Sequence, residues 1–189
     1  MTIQPTHHRT VSRALLPTPR LAGVPRLHAL ELLPDEAGCD VVRRDWQALR
    51  DAGLPSQLDH RGDTNSPHVT LASAPVIDAA ARDLAADLLA EHLPADVRTS
   101  GIALLGGERV TVVRLVTVPD ALTRAVLDVR ATMPSVEHLG WLPHITLARR
   151  LERADVARAM TVLTRTDASL TLSSVRHWDP DAGIVTTLS

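Results

Sequence analysis

Residues 67–72 read PHVTLA and residues 143–148 read PHITLA, identical except for Val69 against Ile145. Each is short, alternates polar with apolar, and reads as a strand. Successive side chains of a strand point to opposite faces, so His68 and Thr70 project together while Val69 and Leu71 point the other way. His144 and Thr146 stand in the same relation to Ile145 and Leu147. The two histidines are 76 residues apart, close to the spacing of the elements around them. A fold duplicated about an approximate two-fold axis brings both His-Thr faces to one cleft. The tripeptide His-x-Thr carries nothing alone, since His8-Arg9-Thr10 is a third copy without a strand or a partner half. The signal is six near-identical residues in register with a repeat.

Working outward, residues 28–33 form a strand candidate ended by Pro34-Asp35. Asp40 is placed to cap a helix whose inward stripe is Val42, Trp46 and Leu49. Ile77, Ala80, Leu84 and Leu88 mark a second helix, and residues 97–105 turn at Gly106-Gly107 into a strand over 109–118. The order then recurs. Val118-Pro119-Asp120 ends a strand as Leu33-Pro34-Asp35 does, and Leu122, Ala125, Val126 and Val129 form a helical stripe. Val156, Ala159, Met160 and Leu163 form another, and residues 170–178 and 184–188 close as a hairpin around Asp179-Pro180-Asp181-Ala182-Gly183. The expectation is an α+β domain over 23–189 with halves of about 24–106 and 107–189, each strand–helix–strand–helix–strand. Residues 1–22 are Pro-, Thr- and Arg-rich without an acidic residue; a disordered tail is expected, with a transit peptide as the alternative.

Composition narrows the function. The 189 residues are 44% hydrophobic and 22% charged, and 20 basic against 22 acidic side chains give a net charge of −2. That balance argues against bulk electrostatic binding along a long nucleic acid, though not against a small anion in a local pocket. No apolar run approaches the roughly 20 residues of a membrane-spanning helix, so no membrane partner is expected. Every basic side chain is Arg, which stays charged and forks onto phosphate oxygens. Phe and Tyr are absent, leaving Trp46, Trp141 and Trp178 as the aromatics. The single Cys39 forms no intrachain disulfide and supports no cysteine-based metal cluster, so a reducing cytoplasm is the default.

The two motif strands, PHVTLA and PHITLARR, resemble those of the two-histidine (2H) phosphoesterase superfamily, in its branch of 2′-5′ RNA ligase-like and RNA 2′,3′-cyclic phosphodiesterase proteins. In element order the resemblance runs over about residues 24–189. It implies a duplicated, bilobal α+β fold in which two antiparallel sheets face each other across a central cleft, with helices outside. It implies no metal or other cofactor, and a reaction that opens a 2′,3′-cyclic phosphate to a 2′-phosphomonoester. His68 is then the general acid and His144 the general base, roles that a pseudo-symmetric site could exchange.

The residue types suit that chemistry. Opening a cyclic phosphodiester requires taking a proton from water and giving one to the departing ribose oxygen, and two imidazoles titrating near neutrality can do both. Thr70 and Thr146 offer hydroxyls to the phosphoryl oxygens. Arg149 follows the second motif and could bind phosphate; strict alternation aims it away from the cleft, which makes Arg150 its rival. Trp141, three residues before His144, either stacks on a base or packs in the core. His60 and His138 sit in loops upstream of the motif strands and could line the cleft, while His28, His92 and His177 read as surface residues.

Gly106-Gly107 is a hairpin turn, the 179–183 segment a turn lacking the later ligands of a calcium loop, Arg61-Gly62-Asp63 an accidental loop tripeptide, and Cys39 structural. The shortage of aromatics favours a nucleotide, dinucleotide or short RNA end as the partner, bound by a monomer with no obligate protein partner. Action on 2′-5′ linkages or a non-RNA cyclic phosphate is the alternative within enzymes. A catalytically silent nucleotide- or RNA-end-binding protein is the alternative from another class.

Overall fold

The structure is a computed structural model that describes residues 26–60, 62, 64–163 and 167–188. The N-terminal tail expectation lies outside these residues. The chain runs β1 (His28–Pro34), α1 (Glu36–Asp51), a 3-10 turn (Gln57–Asp59), β2 (Val69–Ala74), α2 (Ala79–Ala90), β3 (Ala95–Gly106) and β4 (Arg109–Thr117). It continues through α3 (Asp120–Ala131), β5 (His144–Glu152), a second 3-10 turn (Arg153–Asp155), α4 (Val156–Val162), β6 (Ser169–Asp179) and β7 (Ile184–Thr187). Every strand pairing is antiparallel, and the fold is α+β.

The expectation of two separate facing sheets is corrected. The strands hydrogen-bond as one seven-stranded sheet in the order β1-β2-β5-β4-β3-β6-β7, and β1 also pairs with β6. Six strands therefore close into a ring, with β7 added along the rim of β6. Two groups, β1-β2-β6 and β3-β4-β5, are broad internally and narrowly joined. One join is the register pair Val69↔Ile145 between β2 and β5. The other is the four-residue pairing of Ala95–Arg98 with Ser169–Leu172 between β3 and β6. Leaving these edges unpaired would bury or expose a row of backbone donors and acceptors, and the joins satisfy them.

The apolar faces of the strands fill the core. Leu30, Leu32, Val69, Leu71, Ile145, Leu147 and Leu172 are fully or almost fully buried, and Val42, Trp46, Leu49, Leu122 and Val126 cover them from α1 and α3. Helix α1 starts earlier than the sequence suggests. Asp35, not Asp40, is its cap, because the Asp35 carboxylate accepts from the Gly38 amide at 2.8 Å. Gly38 is needed there: a Cβ would lie 2.9 Å from the Pro34 Cβ. In α2 the buried residues are Ala85 and Leu89 rather than Leu84 and Leu88. An alanine-rich helix carries two adjacent apolar stripes, and packing selects one.

His28 and His177 are not on the surface. They are 8% and 3% exposed, stacked with centroids 5.3 Å apart, and Nδ1 of His28 is 3.1 Å from Nε2 of His177. Strands β1 and β6 pair directly, with His177 opposite Leu30, and β7 covers the far side. Burial, with added repulsion from Arg82 and His28, pushes His177 below the usual imidazole range. The 179–183 turn holds as expected: Asp179 Oδ1 accepts from the amides of Asp181 and Ala182 at 2.9 and 3.0 Å.

Candidate active site

The pairing of Val69 with Ile145 sets the two motif strands side by side at the middle residue of each His-x-Thr. Antiparallel neighbours run in opposite directions from a matched pair, so His68 is carried toward Thr146 and Thr70 toward His144. The two histidines have the same local anchor. Nδ1 of His68 donates to the carbonyl of Ser66 at 2.7 Å, and Nδ1 of His144 donates to the carbonyl of Leu142 at 2.7 Å. A carbonyl only accepts, so each bond places a proton on Nδ1 and leaves Nε2 as the nitrogen available for a further partner.

The backbone behind them is pinned in matching fashion. Trp46 Nε1 donates to the Thr146 carbonyl at 3.0 Å, and Trp141 Nε1 donates to the Thr70 carbonyl at 2.9 Å. Trp46 is 3% exposed and belongs to the core. Trp141 packs against the core, as one of the two sequence readings has it, and also lines a chamber beside His144.

Two chambers flank the seam, and Thr70 lines both. The first, about 470 Å³, is mainly apolar, with Leu71, Leu105, Trp141 and Leu142 around His144. His138 lines it too. Its wall is held by Arg130, 7% exposed, whose guanidinium donates to the carbonyls of Leu71, His138 and Gly140. Burial lowers the pKa of this arginine from its ordinary value. The second chamber, about 450 Å³, is polar, with Glu31, His60, Asn65, Arg149, Arg176 and Trp178 around His68.

Arg149 reaches this second chamber through a bulge. Val112 pairs with Ala148 and Val110 with Leu151, so Arg149 and Arg150 together oppose Thr111. Arg150 takes φ 58° there. The register also shifts between Val113↔Thr146 and Val112↔Ala148, so Leu147 and Ala148 are both buried and the alternation of faces is already broken before Arg149. Arg150 is not among the residues lining the chamber.

The sequence pattern of the 2′-5′ RNA ligase superfamily matches residues 39–183, which contain both motif strands and both chambers' histidines. This chain belongs to the 2′-5′ RNA ligase superfamily.

Among solved structures, this member of the superfamily is similar to Usb1 of Kluyveromyces marxianus, at 11% identity and TM-score 0.49, with 87% of this chain and 98% of that one covered. It is similar to the ns2 PDE domain of MHV at 13% identity and TM-score 0.46, covering 78% and 99%. It is also similar to E. coli LigT complexed with 3′-AMP, at 16% identity and TM-score 0.46, covering 86% and 93%. No curated protein matches the chain. Among the described residues, no helix is long and apolar enough to cross a membrane.

Among the residues of the polar chamber to which sequence reasoning gave no site role are Glu31, Asn65, Arg176 and Trp178. A signal existed for two of them. Glu31 is the single acid in β1, and Arg176 is the single arginine in β6. A lone charge in a buried strand needs a buried partner. Cys39 is buried as expected, its Sγ donating to the Pro34 carbonyl at 3.5 Å, and burial pushes its thiol above the ordinary range.

Proposed function

We propose that this protein hydrolyses 2′,3′-cyclic phosphodiesters of nucleotides or short RNA ends to 2′-phosphomonoesters, by acid–base catalysis between His68 and His144. The observation that carries this is the matched anchoring of the two imidazoles, each with Nδ1 held at 2.7 Å by the carbonyl two residues before it. Two rings so fixed present Nε2 from adjoining strands, as a reaction with one proton removed and one proton delivered requires.

In the forward direction His144 takes a proton from water as its oxygen attacks phosphorus. The bond from phosphorus to the ribose 3′ oxygen breaks, and His68 supplies the proton that this oxygen acquires. Thr70, Thr146 and Arg149 offer donors to the phosphoryl oxygens as charge builds on them. The imidazoles supply the activation that a metal-bound hydroxide would otherwise provide. The apolar chamber with Trp141 suits a base, and the polar chamber with Arg149 suits the phosphate or a following nucleotide. The same proposal treats residues 24–106 and 107–189 as duplicated halves of one monomeric, cytoplasmic domain. The matched histidine and tryptophan anchors support it.

The test is hydrolysis of the four nucleoside 2′,3′-cyclic phosphates in EDTA by wild type and by His68→Ala/His144→Ala. Turnover by wild type alone, giving the 2′-phosphate, is the expected result. Equal turnover by both proteins overturns the paired-histidine site. Binding of a cyclic nucleotide with no turnover by wild type points instead to a catalytically silent nucleotide-binding protein.

A further inference from the structure

The matched surroundings of the two histidines differ at one register position. On β1, Glu31 stands opposite Thr70; on β4, the residue opposite Thr146 is Val113. A carboxylate is thus presented to one motif and a methyl-bearing side chain to the other. Glu31 Oε1 lies 3.4 Å from Nε2 of His68, while no ion pair among the described residues reaches His144.

Glu31 is itself fixed. Its Oε2 accepts from Nε of Arg176 at 2.7 Å, and Arg176 is its register partner on β6. The side chains of Glu31 and Arg176 are 7% and 10% exposed, so neither swings freely. His60, Glu137, Arg149 and Arg176 are the other titratable side chains lining the His68 chamber, and Glu31 is the one in ion-pair contact with the ring.

Hydrogen-bonding capacity then distinguishes the rings. Nδ1 of His68 already donates to Ser66, and a carboxylate oxygen facing Nε2 can only accept. The form of His68 that satisfies both contacts carries a proton on each nitrogen. At 3.4 Å the contact is longer than a charge-assisted hydrogen bond, so the carboxylate orients a proton on Nε2 without capturing it. His144 has its donor at Nδ1 engaged by Leu142, and among the described residues no carboxylate faces its Nε2.

We propose that Glu31, clamped by Arg176, is a positioning residue that holds His68 in its proton-donating form and thereby decides which histidine is the acid. This rests on the phosphodiesterase reading above. The carboxylate faces Nε2, the nitrogen from which His68 hands over its proton, and takes no part in bond making or breaking at phosphorus.

The experiment compares uridine 2′,3′-cyclic phosphate with its analogue bearing sulphur at the departing 3′ bridge, since a thiolate leaves without needing a proton. Glu31→Gln is expected to lower kcat on the oxygen substrate about 10-fold or more, with KM nearly unchanged, and to lose most of that deficit on the sulphur substrate. His68→Ala should show the same selective rescue, and His144→Ala should lose activity on both. Because Glu31→Gln leaves Arg176 buried without its counter-ion, Glu31→Gln/Arg176→Met is measured beside it, and it should show the same rescue. An equal loss on both substrates means a merely structural role and overturns the proposal, as does no loss on either. Wild type that turns over neither substrate overturns the phosphodiesterase reading as well, which separates the two failures.

Discussion

Val69 and Ile145 face each other as the register pair that joins β2 to β5, and each is the middle residue of a His-x-Thr triplet. The hydrophobic contact beneath the seam and the two imidazoles above it are therefore set by the same six residues. A slip of either strand by one position turns that strand's histidine away from the other, because strand side chains alternate.

Removing either imaginable proton carrier should be costly. His68→Ala and His144→Ala are each expected to reduce kcat by roughly 10²–10⁴-fold on a nucleoside 2′,3′-cyclic phosphate. Thr70→Ala and Thr146→Ala should lose less, at most about 10²-fold, as for a single phosphoryl donor. Steady-state kinetics on folded variants decide it; a threonine variant worse than either histidine variant would reverse the proposed roles.

Arg149→Ala and Arg150→Ala should part company. The bulge brings Arg149 into the His68 chamber, so its loss is expected to raise KM by about 10-fold, the order of one charge-assisted contact. Arg150→Ala should change KM by less than about twofold. Equal effects would mean that the bulge does not set the chamber's charge.

Arg130→Met is expected to destabilise the protein by about 2–4 kcal/mol, because the Leu71, His138 and Gly140 carbonyls all lose their donor. Urea unfolding measures the loss. The same variant should weaken substrate binding, since the wall carrying Trp141 is no longer tied to β2.

The two indole anchors offer a matched comparison. Trp46→Phe and Trp141→Phe each remove one hydrogen bond to a motif threonine carbonyl, at a cost of about 1 kcal/mol each beyond the change in packing. Only Trp141→Phe should also change KM, since Trp141 alone of the two lines a chamber. Equal KM changes would show that both act through the strands.

Stability should fall on mild acidification. His177 titrates below the ordinary imidazole value of 6.5 in the folded protein, chiefly because it is buried. Below that value the unfolded chain binds more protons than the native one, so stability is full above about pH 6.5 and is lost as pH falls toward the native pKa. Urea midpoints at about pH 7.5 and 5.5 should differ for wild type, and the difference should shrink in His177→Gln. An unchanged difference would assign the acid sensitivity to other groups.

The sequence marked the two motif strands of the candidate site more clearly than their surroundings. PHVTLA and PHITLA located both histidines, and the periodic stripes Val42-Trp46-Leu49 and Leu122-Ala125-Val126-Val129 are buried in α1 and α3 as expected. Short-range chemistry is written in short-range patterns. The misses concern contacts between distant segments. Glu31 meets Arg176 across 145 residues through a strand pairing that no local pattern announces. The burial of His28 against His177 depends on that same pairing. Arg149 required knowing where a bulge falls, and two sheets became one because a single register pair closes the β2–β5 seam.

The closing of the ring between β1 and β6 also orders events during synthesis. Both histidines and both threonines have been made once β5 has emerged, yet the guanidinium that neutralises Glu31 lies on β6, among the final elements of the chain. Until Arg176 arrives, β1 carries a carboxylate that cannot be buried without a partner, so its strand is discouraged from packing prematurely. The polar chamber is thus incomplete until β6 is made, with only β7 still to follow. A ribosome-bound chain ending before β6 would hold both motif histidines and still lack the arginine that frames them.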